Sequence, residues 1–160
     1  IILVNNGELC KTILDLYSDD GIIAEPAGAL SITGLDKLKK KDIMGKTIVA
    51  VISGGNNDIT RYPEIQDIAL KYLNLKHYFI LQFNQKPKQL KKFITKVLGD
   101  NDDIVRFEYI KKTNKNYGNV LVGIELKEKE DLNTLIDNLE RYKFKYKKIE
   151  EDELIYDLLI

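Results

Sequence analysis

One cysteine, Cys10, and one histidine, His77, are all that the 160 residues provide of either type. A lone cysteine cannot close an internal disulfide, which suits a reducing compartment such as the cytoplasm. A transition-metal site would likewise be short of ligands. Net charge is missing too: Lys+Arg and Asp+Glu stand at 25 each, so no overall field draws the chain to nucleic acid or anionic lipid. Apolar runs last only a few residues, against the roughly 20 needed to cross a bilayer, and nothing at the start resembles a signal or transit peptide. What remains, 44% hydrophobic and 31% charged residues, has the balance of a soluble globular protein of one ordinary domain or two small ones. The chain opens without Met on the strand-like Ile1-Ile2-Leu3-Val4 and is expected to be a piece of something longer.

The first half alternates short apolar runs with helical patterns. Residues 1–4 read as a strand end, followed by a turn at Asn5-Asn6-Gly7. Leu9, Ile13, Leu16 and Tyr17 then share one helical face. Ile22-Ile23-Ala24 is a short run that is expected to be buried, and Pro26 is placed to start a helix running to about Lys39. Residues 47–52 (Thr-Ile-Val-Ala-Val-Ile) form a continuous run rich in β-branched side chains, as a strand covered on both faces requires. A third helix carries Ile65, Ile68, Ala69 and Tyr72. This alternation predicts an α/β layer with a parallel sheet over residues 1–74.

From about residue 75 the grammar changes. Residues 77–83 read as a strand, and 87–98 as a helix with Leu90, Phe93, Ile94, Val97 and Leu98 three and four apart and Gly99 as its stop. Val105, Phe107 and Tyr109 alternate on a second strand, and a polar turn over 114–118 leads to a third. There Val120, Val122, Ile124 and Leu126 share one face, with Leu121, Gly123 and Glu125 on the other. Leu132, Leu135, Ile136 and Leu139 stripe a helix, and 144–149 offers a fourth strand. The order β-α-β-β-α-β makes residues 75–160 a ferredoxin-like sandwich. The tail, 154–160, is apolar enough to pack.

Two segments could carry chemistry. Ser53-Gly54-Gly55-Asn56-Asn57-Asp58 follows the strand-like run. In open α/β sheets ligands bind beyond the carboxyl ends of strands, where a serine puts a hydroxyl at the tip and glycines let backbone approach a ligand. An ordinary strand-to-helix turn needs glycine as well. Glu25-Pro26-Ala27-Gly28-Ala29-Leu30 sets a carboxylate ahead of a helix that opens with small residues. Those residues could admit a cofactor or simply pack against a sheet.

Taken together and in this order, Glu25–Leu30 and Val51-Ile52-Ser53-Gly54-Gly55-Asn56-Asn57-Asp58 resemble the pyridoxal-phosphate (PLP) enzymes of fold type II, the tryptophan-synthase-β type, and among them the serine and threonine dehydratases. Leu75-Lys76-His77-Tyr78-Phe79, the stretch Asp102-Asp103-Ile104-Val105-Arg106-Phe107-Glu108-Tyr109 and the ending Tyr156-Asp157-Leu158-Leu159-Ile160 look like the shorter biosynthetic members, which carry one ACT-like regulatory domain. The resemblance covers nearly the whole chain. It implies the end of a PLP-dependent catalytic domain over 1–74 and an ACT-like domain over 75–160. It implies that the Ser53 hydroxyl hydrogen-bonds the pyridine nitrogen of PLP, with Glu25 near the cofactor pocket. It also implies conversion of threonine to 2-oxobutanoate and ammonia in isoleucine biosynthesis, with feedback by isoleucine in a cytoplasmic homo-oligomer. The family's Schiff-base lysine and glycine-rich phosphate loop lie upstream of these motifs, so this chain alone is expected to be inactive. At the turn where the family has Pro-Gly-Ala-Leu, the expected effector site, this chain reads Pro87-Lys88-Gln89-Leu90; the larger side chains predict weakened or absent effector binding there.

Other readings fare worse. Lys86, Lys88, Lys91, Lys92 and Lys96 form a basic cluster, and the β-α-β-β-α-β order is shared with RNA-recognition sheets. Yet the third strand carries no aromatic at 120–126 to stack a base, which leaves a solvated helix face. His77 reads as a structural residue, and Tyr78, Phe79, Phe83, Phe93, Phe107 and Tyr109 as core or interface aromatics. The alternative to a piece of a lyase is a stand-alone module that senses an amino acid or pairs with partner sheets.

Overall fold

The computed structural model describes residues 1–111 and 115–150. Part of the expected turn at 114–118, the tail at 154–160 and the resemblance at 156–160 lie outside the described residues. The chain divides into two compact units, Ile1–Leu73 and Asn74–Ile160.

In the first unit helix α1 (Asn6–Asp20) starts with a capping box: Asn5 Oδ1 accepts from Glu8 N at 2.8 Å and Glu8 Oε2 accepts from Asn5 N at 3.1 Å. Gly21, in the left-handed region at φ 67°, ends it. Helix α2 (Pro26–Leu35) begins on proline, which needs no N–H there. A short α3 (Lys40–Ile43) follows, then a single 3-10 turn at Ile59–Arg61 and α4 (Tyr62–Tyr72). The core is thin: Cys10, Ile13, Leu16 and Ile65 pack with three alanines, Ala24, Ala29 and Ala69.

The parallel sheet expected here is not formed. Among the described residues of this unit no strand is present, so residues 1–4, 22–24 and 47–52 are unpaired. The physical reason is that the pattern that marks a strand is local, whereas a strand's hydrogen bonds come from a neighbour. The apolar side chains of these segments consequently face water: Leu3 is 85% exposed, Val49 82% and Val51 69%. In the 22–24 run, expected to be buried, only Ala24 is; Ile22 and Ile23 are exposed. Helix α2 ends at Leu35, short of Lys39.

The second unit contains its own ladders. Strands β1 (Lys76–Asn84), β2 (Asp103–Tyr109), β3 (Tyr117–Glu125) and β4 (Lys145–Ile149) form one antiparallel sheet in the order β2-β3-β1-β4. Helices α5 (Gln89–Lys96) and α6 (Asp131–Arg141) supply Phe93, Leu135 and Leu139 to its core. This is the predicted four-stranded antiparallel sandwich. Phe79, Leu81 and Phe83 on β1 and Val120, Val122 and Ile124 on β3 meet those helices, nearly all fully buried. Phe83 is the hub: its ring centroid lies 5.4 Å from Phe144, 5.6 Å from Phe93, 5.8 Å from Tyr109 and 6.2 Å from Phe107, distances at which tilted aromatic pairs attract.

His77 is buried at the start of β1, with Nε2 2.8 Å from the Asn74 carbonyl oxygen. Burial pushes its pKa below the ordinary histidine value; the Asn74 carbonyl opposes that shift, Lys148 adds to it and Glu150 offsets it. The folded unit thus favours the neutral ring and the unfolded chain binds the proton more readily. Stability contributed by His77 is present above the ordinary histidine pKa and declines as pH falls through it. Urea midpoints measured between neutral pH and about pH 5 should drop for the wild-type chain and drop less for His77→Gln.

Candidate functional site

Residues 22–28 and 51–58 are far apart in sequence and adjacent in space. Glu25 N donates to the Gly54 carbonyl oxygen at 3.1 Å. Asn57 Nδ2 donates to the Ala24 carbonyl oxygen at 3.0 Å, and Ser31 Oγ to that of Val51 at 2.7 Å. The two segments therefore meet along their backbones, with α2 as the element that presents one to the other.

Two glycines make this approach possible. A Cβ on Gly28 would lie 2.0 Å from the Ser53 carbonyl oxygen and 2.8 Å from that of Gly54, inside any tolerable contact. Gly54 has φ +83°, and a Cβ there would fall 2.0 Å from Glu25 Oε1. The Glu25 side chain thus lies over Gly54. Glu25 is half-buried, precedes α2 as its N-cap residue and makes no capping bond with its side chain, whereas Ser53 is exposed. The structure brings the two predicted cofactor residues to one place, with the serine open to solvent. Asp58 closes the loop: its Oδ1 accepts from Thr60 N at 2.9 Å, and that bond holds its carboxyl below the usual aspartate range.

Sequence reasoning quoted Asn57 within the motif but gave it no task, and it passed over Ser31. Both tie the site segments together by side chain-to-backbone bonds. A small polar residue on the first turns of a helix has many uses, so the pattern alone did not announce this one.

The predicted effector residues lie between β1 and α5. Pro87 and Lys88 are exposed and Gln89 is half-buried. Lys88 sits at φ 71°, ψ 6°, in the left-handed region, as the N-cap residue of α5, without a side-chain capping bond. The backbone there has the shape a glycine adopts freely, but the residue is a lysine. Nearby, Gln85 N donates to the Asn116 carbonyl oxygen at 2.9 Å. A cavity of about 430 Å³ lined by Gln82, Lys115, Asn116, Tyr117 and Asn119 lies at this end of the sheet; Pro87, Lys88 and Gln89 are not among its lining residues. Among the described residues no helix is long and apolar enough to cross a membrane.

The sequence profile of the C-terminal regulatory domain of threonine dehydratase matches residues 68–159. The chain is 53% identical over its full length to the biosynthetic L-threonine dehydratase of Halalkalibacterium halodurans, of which it covers 38%. It is 49% identical over 159 residues to that of Staphylococcus aureus, covering 37%, and 49% identical over 160 residues to that of Bacillus subtilis, covering 38%. The chain thus spans under two fifths of the length of the curated relatives it matches.

A non-glycine residue in the left-handed region costs roughly 1–2 kcal/mol, and glycine's extra freedom in the unfolded state returns roughly half of that. Lys88→Gly is therefore expected to stabilise the chain by up to about 1 kcal/mol, read as a higher urea midpoint with an unchanged slope. A lower midpoint would mean that the lysine side chain itself holds the turn.

Proposed function

The chain belongs to the family of C-terminal regulatory domains of threonine dehydratase, and on that footing we propose that it is the C-terminal portion of a PLP-dependent threonine dehydratase. In this reading residues 1–74 are the end of the catalytic domain and 75–160 an ACT-like regulatory domain. The whole enzyme would convert L-threonine to 2-oxobutanoate and ammonia for isoleucine biosynthesis, as a cytoplasmic homo-oligomer. The observation that carries the reading is the meeting of Glu25–Gly28 with Ser53–Gly54: the backbones come together where Gly28 lacks a side chain, and the Glu25 side chain lies over Gly54. The unpaired apolar run at 47–52 supports it, since Val49 and Val51 are exposed where a sheet neighbour would cover them.

The residues present fit the cofactor. Ser53 offers an exposed hydroxyl beside a left-handed glycine, a setting in which a flat ring can come close to the backbone. Bound PLP supplies the electron sink that permits loss of the substrate's β-hydroxyl. Ser53 would orient it by a hydrogen bond to the ring nitrogen. A neutral hydroxyl, unlike a carboxylate, does little to keep a proton on that nitrogen, which tempers the sink and favours prompt elimination over transamination. Glu25, held over Gly54, would border the pocket. The family's Schiff-base lysine has no counterpart in the motifs of this chain, so the 160 residues alone would not turn over threonine.

The regulatory half would sense an amino acid. Its turn at Pro87-Lys88-Gln89 keeps the backbone shape of a small-residue loop while filling it with longer side chains, which argues for weaker binding of isoleucine than a Gly-Ala turn would give.

Two outcomes test this. In the longer enzyme containing this sequence, Ser53→Ala should lower the dehydration rate about tenfold or more, the worth of one buried hydrogen bond to a reacting group, and shift the cofactor absorbance. An unchanged rate and spectrum would sink the assignment of Ser53. Calorimetry of the 160-residue chain with isoleucine and with valine should show weak heat that increases in the Lys88→Gly variant; silence with both ligands for both proteins would remove the sensing role.

A further inference from the structure

The cavity where β1 stops and β3 starts has a chemistry that the turn at 87–89 does not share. The ladder puts it on the face of the sheet opposite the helices. Leu81 and Phe83 of β1 belong to the core that α5 and α6 complete, so Gln82, between them, turns the other way. Its cross-strand partner is Asn119, and Tyr117, two residues earlier on β3, stands on the same face. Lys115 and Asn116 complete the lining of a space of about 430 Å³.

The backbone of its walls is held by bonds made outside the cavity. Gln85 N donates to the Asn116 carbonyl oxygen at 2.9 Å, and Gln85 Nε2 donates to that of Lys115. The stretch that leads into β3 is therefore tied to the end of β1. A Cβ on Gly118 would lie 2.7 Å from Tyr109 Cε2, so the Tyr109 ring backs β3 from the core side. The lining groups themselves are unengaged: among the described residues, the side chains of Gln82, Lys115, Asn116 and Asn119 make no hydrogen bond or ion pair. Three carboxamides, one ammonium and one phenol thus face the same space, with no carboxylate among them.

We propose that this cavity is a second small-molecule site, separate from the turn at Pro87-Lys88-Gln89, and that it takes a small α-amino acid with a hydroxyl on its side chain. Lys115 is the counter-ion for the ligand's carboxylate. A carboxamide offers an acceptor as well as donors, so an amide oxygen of the lining receives the ligand's ammonium. A second carboxylate on the ligand would find no second cation, and a ligand without any carboxylate would leave Lys115 unanswered. The amides that remain and the Tyr117 hydroxyl suit a side-chain hydroxyl. An aliphatic side chain of the same size would take them out of water without a partner.

Calorimetry on the 160-residue chain tests the site with threonine as the probe and valine, in which a methyl replaces the hydroxyl, as its comparator. Threonine should give heat, and valine should bind the cavity about tenfold or more weakly. Gln82 and Asn119 are exposed, so Gln82→Ala and Asn119→Ala should keep the urea midpoint while each weakens threonine about tenfold. Lys88→Gly, which acts on the turn, should leave threonine binding unaltered, so the two sites are told apart by variant. Absence of threonine heat, equal binding of threonine and valine, or binding indifferent to both Gln82→Ala and Asn119→Ala overturns the proposal. Threonine binding that responds only to Lys88→Gly belongs to the turn and overturns it as well.

Discussion

A β-strand is completed by its neighbour, and this requirement shapes the whole chain. Its backbone donors and acceptors point sideways and stay unmet until a second strand aligns with them. The second unit meets the demand internally: β1 is bonded along both edges, by β3 and by β4, and the sheet so formed gives Phe83 and its ring neighbours a fixed floor to pack on. The first unit has three segments with strand composition and no ladder among its described residues. Its order comes instead from helices, with α1 against α2 and α4 and small side chains at the contacts.

The same unit shows how backbone contact can build a site without a sheet in view. The loop at 53–58 is pinned to the start of α2 by bonds from Glu25, Ser31 and Asn57. A side chain at 28 would force the two segments apart, and one at 54 would displace the Glu25 side chain. Glycine therefore acts here by what it leaves out, and the serine between these contacts inherits a defined position while staying open to solvent.

Periodicity revealed much of the second unit. Alternation at 120–126 separates residues that face the helices from those that do not, and the three-and-four spacing of Leu132, Leu135, Ile136 and Leu139 marks the buried stripe of α6. Both are local signals with one structural meaning. The expected strands at 1–4 and 47–52 were equally clear in composition, yet pairing is a property of two segments and composition describes one. The left-handed turn at Lys88 was also hidden, because lysine is not a residue that advertises positive φ. The closeness of Glu25 to Gly54 could not be read from spacing; only the combination of the two motifs, through their likeness to a family, suggested that they meet.

Strand β4 has a further consequence. It is five residues long, lies at the edge of the sheet and carries Lys145, Lys147 and Lys148. An edge that short and that cationic is a poor template for a foreign strand, since an incoming copy would bring its own lysines alongside these. Among the described residues, that border of the sheet therefore disfavours the pairing by which strands of separate copies build fibrils.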